Sequence, residues 1–429
     1  MTAQAAVAEE SADTPRPSTR RIRFSIPILV VLVCAGVGLA LLLPLSGPYP
    51  WWTLVVAALG FVAWYASAAD AADRDQAMLP IVAGICALGI LAVTRVDSFL
   101  GSRQTIWMIV GLAIVSLGQS IFMRFRRVER VKYTWVIVSL AIFILLAFFG
   151  HEVNGARLWF KIGVFSVQPV EIIKLFMVFF MAAYLAENGE AIGALPLSAI
   201  GANLKLLGPL VLGWGVSMLT LALQHDVGMA CLFLGIFLAM LYVASRRLDI
   251  VVIAAIVFVV GLWFIAAHFT YVHARIGAWL DPWSDPLGRG YQPQQAYFSL
   301  AAGGLFGTGY HLGHPQFIPD AATDYVFASW AEEFGLLGAI ALLGLYLAVV
   351  VRGIAAAFRS EDRFTALLAT GFAATLGIQV VVIVGGVIGL LPLTGITLPF
   401  FSYGGSSMVA NILMLNMLWI FTSRRAAPV

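Results

Sequence analysis

Residues 227–245 read VGMACLFLGIFLAMLYVAS, a run with no charged side chain. A helix of about this length rises about 28 Å, close to the ~30 Å hydrocarbon core of a bilayer. Charge waits at its two ends, with Asp226 before it and Arg246 and Arg247 after it. Comparable apolar segments lie N-terminal to it at about 25–46, 51–68, 77–96, 104–123, 133–150, 168–186 and 206–223. C-terminal to it they lie at about 248–267, 325–351, 364–391 and 404–422. The expected fold is therefore all-α, a polytopic integral membrane helical bundle of about 12 transmembrane helices.

Composition agrees. The 429 residues are 61% hydrophobic and 11% charged, with mean hydropathy +0.95. Soluble domains carry about 25% charged residues, so this chain lacks the charge to cover a water-facing surface. A soluble enzyme, a secreted disulfide scaffold, a coiled coil and a nucleic-acid binder are excluded on that ground. Cys34, Cys86 and Cys231 all fall inside apolar runs and are expected as buried thiols. No small-residue cleavage site follows the first apolar run, which reads as a span and not a signal peptide.

The net charge of +3 says less than where the charges lie. With the N-terminus inside, the inner segments hold 18 of the 25 Lys and Arg residues. The other seven are Arg95, Arg103, Arg157, Lys161, Lys174, Arg275 and Arg289. This bias places both termini in the cytoplasm. Residues 1–24 read as a disordered cytoplasmic tail. All six histidines then lie outside, without HxxxH or CxxC spacing, so no metal site is expected.

One long extracytoplasmic loop remains, about 268–324, before the tenth span. Loops of this length are usually functional or disordered. Its Trp279, Trp283, Tyr291 and Phe298 supply enough apolar area to pack. Asp281-Pro282 and Asp285-Pro286 read as turn initiators. Gly303, Gly304, Gly307 and Gly309 imply tight turns or close backbone approach.

Ionisable groups in or beside spans are costly and usually face a bundle interior or a wet cavity. Arg157 lies just outside the fifth span. Glu171 and Lys174 share a face of the sixth and read either as an internal ion pair or, for Lys174 with Arg157, as a counter-charge for an anionic ligand. Glu332 and Glu333 point to different faces, one toward a neighbouring cation and the other toward a cavity. Asp324 stands where the long loop re-enters the membrane. Partial desolvation there would make it a better proton acceptor; the alternative is an N-cap of the tenth helix.

The motifs, in order, are Asn154-Gly155-Ala156-Arg157 with Trp159; Gln168-Pro169-Val170-Glu171 with Lys174; Gln224-His225-Asp226-Val227-Gly228; and Arg275 followed by the two Asp-Pro turns. Then come Gly290-Tyr291-Gln292, Gly303-Gly304-Leu305-Phe306-Gly307, and Thr323-Asp324-Tyr325 with Ala331-Glu332-Glu333. Leu391-Pro392-Leu393-Thr394-Gly395 and Leu398-Pro399-Phe400-Phe401-Ser402-Tyr403-Gly404-Gly405-Ser406-Ser407 complete the set. This ordered set, over about 77–425, resembles the SEDS family of membrane proteins, the RodA/FtsW/SpoVE-like group.

The resemblance implies a peptidoglycan glycosyltransferase that polymerises lipid II at the outer face of the bacterial cytoplasmic membrane. It implies a class B penicillin-binding protein as transpeptidase partner, contact with membrane lipids, and a family core of ten spans. The segment 25–76 would then be an extra N-terminal transmembrane hairpin. In this reading Asp324 is the general base. Arg157, Lys174 and Arg275 stabilise the leaving diphosphate, and Glu171, Glu332 and Glu333 join them at the substrate. Ser402, Gly404, Gly405 and Ser406 either contact the substrate's polar head or serve helix packing. A divalent cation, Mg or Mn, could share the charge stabilisation, though the sequence shows no dedicated cage. A precursor transporter and a non-catalytic scaffold are the alternatives. The chain departs from the family pattern at Val170, His225, Tyr325 and Ile383, where serine, proline, phenylalanine and asparagine are usual.

Overall fold

The computed structural model describes residues 52–68, 71–124, 129, 131–153, 156–163, 165–196, 203–224, 226–268 and 270–423, with 30, 31, 35 and 38. The tail at 1–24, nearly all of the first span, Cys34, Asn154, Gly155 and His225 lie outside the described residues. α1 (Trp52–Ser67), α2 (Met78–Val96), α3 (Ser98–Leu117) and the short α4 (Gln119–Arg124) come first. α5 (Lys132–Phe149) leads into β1 (His151–Val153), β2 (Ala156–Ile162) and β3 (Phe165–Val167). α6 (Val170–Ala194), α7 (Leu204–Leu223), α8 (Val227–Ser245) and α9 (Leu248–His268) follow. α10 (Thr270–Leu280) and α11 (Tyr291–Gly303) precede α12 (Val326–Arg359), α13 (Arg363–Val387) and α14 (Gly405–Phe421).

Among the described residues six helices, α2, α3, α5, α8, α12 and α13, are long and apolar enough to cross a membrane. Shorter apolar helices lie at Trp52–Ser67, Lys205–Leu221, Leu248–Gly261 and Gly405–Phe421. Large apolar side chains face outward, such as Ile137, Ile144 and Phe148 on α5 and Val252, Ile256 and Val259 on α9. In a bilayer that outward face meets acyl chains, and the protein is a mostly helical membrane protein. Helix starts follow capping chemistry. Asp97 accepts from the Phe99 and Leu100 amides, Asp226 from Met229 and Asp362 from Thr365. α3 therefore begins at Ser98, ahead of the apolar run that marks it in the sequence.

The all-α expectation needs one correction. β1, β2 and β3 form an antiparallel three-stranded sheet, with Val153 opposite Ala156 and Ile162 opposite Phe165. β2 reads Ala-Arg-Leu-Trp-Phe-Lys-Ile, rich in aromatic and β-branched residues that favour a pleated surface. The long segment expected as a loop is also more ordered than a loop. It builds α10 and α11, and Asp281 caps the turn Pro282–Ser284 through the Trp283 amide, as the Asp-Pro pattern predicts. Cys86 is a buried free thiol, whereas Cys231 is half-buried.

α12 is the element that positions the site. Its 34 residues are broken at Gly335, with φ 66° and ψ −170°. The glycine stretch 303–309 fills the break: the amides of Thr308 and Gly309 donate to the carbonyls of Glu332 and Glu333, at 2.9 and 3.0 Å. In return Leu336 and Leu337 donate to the Gly304 and Leu305 carbonyls. A Cβ at Gly303, Gly307 or Gly335 would collide with the opposing backbone. The close approach expected of these glycines is thus to a helix backbone. α1 is tied to the bundle by Trp64, whose indole donates to Asn416 of α14 at 2.9 Å.

Candidate functional site

Three segments converge beside the three-stranded sheet. The turn 320–325 carries Asp324. The 391–404 stretch lies against it: Tyr403 N donates to Ala322 O (2.8 Å), and the Ser402 hydroxyl donates to Thr323 O (2.7 Å) while accepting from Leu398 N (2.9 Å). Arg275, on α10, donates to Leu393 O at 3.1 Å. Gly395, at φ +73°, sits where a Cβ would lie 3.5 Å from both Arg275 Nη2 and Asp324 Oδ2. A Cβ there would touch both side chains at ordinary contact distance, and it is the left-handed φ that favours glycine.

These segments enclose a cavity of about 500 Å³. Its walls are Arg103 and Trp107 from α3; Leu158, Trp159 and Lys161 from β2; Ser166 and Gln168; Asp226 before α8; and Arg275. Asp320, Thr323, Asp324, Thr394, Gly395, Thr397, Tyr403, Gly404, Gly405, Ser406 and Ser407 complete it. A pocket of ~300–1,000 Å³ is the usual size of a small-molecule site. Three cations and three carboxylates share this one, a pattern suited to a substrate that is anionic at one end and must lose a proton at another.

Asp324 does not cap its helix. The N-cap of α12 is Tyr325, with no side-chain capping bond. Asp324 is half-buried and lines the cavity. Burial, with Asp320 adding, pushes it up to about 6 against the pull of Arg275. Asp320 holds a left-handed conformation, φ 54°, and its carbonyl accepts from Thr323 N and Tyr325 N, which shapes the turn.

The other sequence candidates divide. Gly404, Gly405 and Ser406 line the cavity with Asp324 and Arg275, and Ser406 accepts from Gln168 N at 3.1 Å. A Cβ at Gly405 would collide with the Trp107 indole. Ser402 stitches the two loops together and does not line the cavity. Arg157 lies in β2 opposite Glu152, and its side chain is outside the described residues. Glu171 and Lys174 are 2% and 0% exposed and pair with each other at 2.7 Å inside the bundle, away from the cavity. Glu333 pairs with Arg95 of α2 at 2.9 Å, and Glu332 accepts from His314 N at 3.0 Å. Neither glutamate reaches the cavity. Ile383 is buried in α13, one turn beyond Gln379, and is not a cavity residue either.

Sequence reasoning missed Arg103, Lys161, Trp107, Asp320 and Thr397. A signal existed for two of them. Arg103 and Lys161, like Arg275, are among the few cations that break the inside-positive pattern, and such a charge needs a local reason. For a divalent cation the fit is poor: among the described residues no three His, Cys, Asp or Glu side chains are placed to hold a metal ion.

A profile of the FtsW/RodA/SpoVE family, described as "Cell cycle protein", matches residues 75–425. The peptidoglycan glycosyltransferase RodA of Mycobacterium tuberculosis (strain ATCC 25618 / H37Rv) is 36% identical over 388 residues, 86% of this chain and 83% of that protein. The stage V sporulation protein E of Bacillus subtilis (strain 168) is 34% identical over 65% of this chain and 75% of its own length. Among solved structures, a chain described under "Structural coordination of polymerization and crosslinking by a peptidoglycan synthase complex" aligns with TM-score 0.67 and 29% identity. That alignment covers 83% of this chain and 99% of that one. The rod shape determining protein RodA of Thermus thermophilus aligns with TM-score 0.61 and 29% identity, over 83% and 98% of the two chains.

Proposed function

This chain belongs to the FtsW/RodA/SpoVE (SEDS) family and is a peptidoglycan glycosyltransferase, and from that premise we propose how its cavity works. The substrate is lipid II, taken up at the outer face of the cytoplasmic membrane. Asp324 is the general base. It takes the proton from the 4-hydroxyl of the acceptor sugar as that oxygen bonds to the donor's anomeric carbon. The bond from that carbon to the polyprenyl diphosphate breaks, and the diphosphate leaves with the electron pair. The single observation that carries this is Asp324 itself, raised to about 6 and facing a cavity shared with Arg103, Lys161 and Arg275.

The cations divide the work by position. Arg275 adjoins Asp324 through Gly395 and keeps the base ionised at neutral pH. Arg103 and Lys161, on α3 and β2, face the diphosphate, where fixed positive charge stabilises the leaving group. Trp107 and Trp159 offer apolar faces to the sugars or the first isoprene units. A divalent cation taking part would be held through the substrate diphosphate, as Mg²⁺ commonly is, since among the described residues no three His, Cys, Asp or Glu side chains form a cage.

The topology that suits this chemistry has twelve spans, both termini cytoplasmic, and α10, α11 and the sheet outside. The partner is a class B penicillin-binding protein, in keeping with the peptidoglycan synthase complex, described as coordinating polymerization and crosslinking, of which one chain resembles this fold. The test is polymerisation of labelled lipid II in liposomes, with and without the transpeptidase, by wild type and Asp324→Ala. Glycan strands from the first alone support the proposal. Equal product from both removes Asp324 from the mechanism.

A further inference from the structure

We propose that Gln379 is a positioning residue for glycosyl transfer: its buried carboxamide, oriented by Lys174, fixes the 393–397 stretch that holds Arg275 and Gly395 against Asp324. The proposal rests on Asp324 being the base. Gln379 lies on α13 and is 0% exposed. Its Oε1 accepts from Lys174 Nζ at 3.0 Å, and its Nε2 donates to Thr397 O at 2.9 Å. Lys174 in turn is neutralised by Glu171 at 2.7 Å. An ammonium only donates and a carbonyl only accepts. A group placed between them must therefore accept on one atom and donate on another, and a carboxamide does both. The lysine also removes the ambiguity of an amide: flipped, Gln379 would point its NH₂ at an ammonium and its oxygen at a carbonyl.

From Thr397 the order spreads to the cavity. The Thr397 hydroxyl donates to Ser407 at 2.7 Å, and Asn411 donates to the same oxygen at 3.1 Å. Four residues before Thr397, Leu393 O accepts from Arg275. Two residues before it, Gly395 spaces Arg275 from Asp324. The buried Glu171–Lys174 pair thus acts at a distance, as the fixed end of a chain that ends on the base's neighbour. Low local dielectric makes each member of such a chain depend on the others.

Two substitutions test this. Gln379→Glu keeps the size and a partner for Lys174 but turns an acceptor toward Thr397 O. Gln379→Leu removes both bonds and adds no charge. Each is compared with wild type and Asp324→Asn in liposomes, with folding checked by thermal melt. The groups facing Asp324 are Asp320, Asp226, Arg275 and Tyr325, and none of them is substituted in these variants. The readouts are kcat and KM for labelled lipid II from pH 4.5 to 8, and the infrared carboxyl band that Asp324→Asn removes. We expect both variants to lower kcat about tenfold or more, as small misplacements do, with KM within about threefold of wild type. As Arg275 loosens from the carboxylate, we expect the acid limb and the infrared titration to move upward by ~0.5 pH unit or more. Lys174→Met combined with Glu171→Gln, which leaves no buried charge, should give the same shift. Unshifted midpoints in folded Gln379 variants would overturn the proposal. Should Asp324→Asn keep polymerising, the base assignment fails, while the infrared midpoint still decides the role of Gln379.

Discussion

The carboxyl of Asp324 makes opposite demands on activity and stability, and one substitution reads both. Its ordinary value is 3.8 and its value here about 6. At pH 5 a base titrating at about 6 is ~9% ionised, whereas one at 3.8 would be ~94% ionised. Polymerisation by wild type should therefore fall about tenfold between pH 7.5 and pH 5, with the acid limb centred near 6. The same shift sets the sign for stability. Between 3.8 and 6 the unfolded chain has released the proton that the folded chain keeps. Stability is thus complete below 3.8 and falls as pH rises through 6. The total loss is at most about 3 kcal/mol, less whatever cavity water returns to the carboxylate. Asp324→Asn removes this cost, so at pH 7.5 it should melt higher than wild type, by a few degrees in detergent. It should also lose about 10²–10⁴ of the polymerisation rate, the usual worth of a general base. The assay is labelled lipid II turnover in liposomes over pH 4.5–8, beside a melting curve of each protein. An acid limb centred near 4, or an asparagine variant melting below wild type, would refute the reasoning.

Other outcomes follow from the same contacts. Gly395→Ala places a methyl in a left-handed position and in the gap between Arg275 and Asp324; a loss of about 1–2 kcal/mol and a reduced kcat are expected from melting curves and turnover. Lys161→Gln and Arg103→Gln should each raise KM for lipid II several-fold and weaken its salt dependence, read by initial rates at two ionic strengths. Arg95→Ala strands Glu333 at 5% exposure and should cost about 3–5 kcal/mol, visible as lost monodispersity; adding Glu333→Gln should restore most of it.

Much of the architecture is written in apolar length. A run such as 227–245 has one economical solution in a bilayer, and α8 occupies that run. What failed were places where backbone chemistry outweighs hydropathy. Asp97 starts α3 at Ser98, ahead of the apolar run at about 104–123, by capping the Phe99 and Leu100 amides. The sheet at 151–167 was carried by pairing that alternates over only a few residues. In the site, Asp324 and Arg275 stood out because charge at a membrane edge is expensive. The same cost cannot separate a ligand from an internal ion pair, and the partner of Glu333 proved to be Arg95, 238 residues away. Thr397 and Gly395 contribute a carbonyl and an empty space, neither of which a residue type announces.

The break in α12 has a mechanical consequence. An unbroken 34-residue helix would be a rod of about 51 Å. Each degree of tilt imposed by the lipids would swing its tip by about 0.9 Å over that length. Functional groups tolerate only about 0.5 Å of misplacement. With the break at Gly335, the N-terminal piece from Val326 to Phe334 is about 14 Å long and is moored to the glycine stretch 303–309. The same tilt moves Asp324 by only about 0.2 Å. The break thus shortens the lever that carries Asp324, and the glycine stretch bonded across it, rather than the full length of α12, sets where the carboxyl stands.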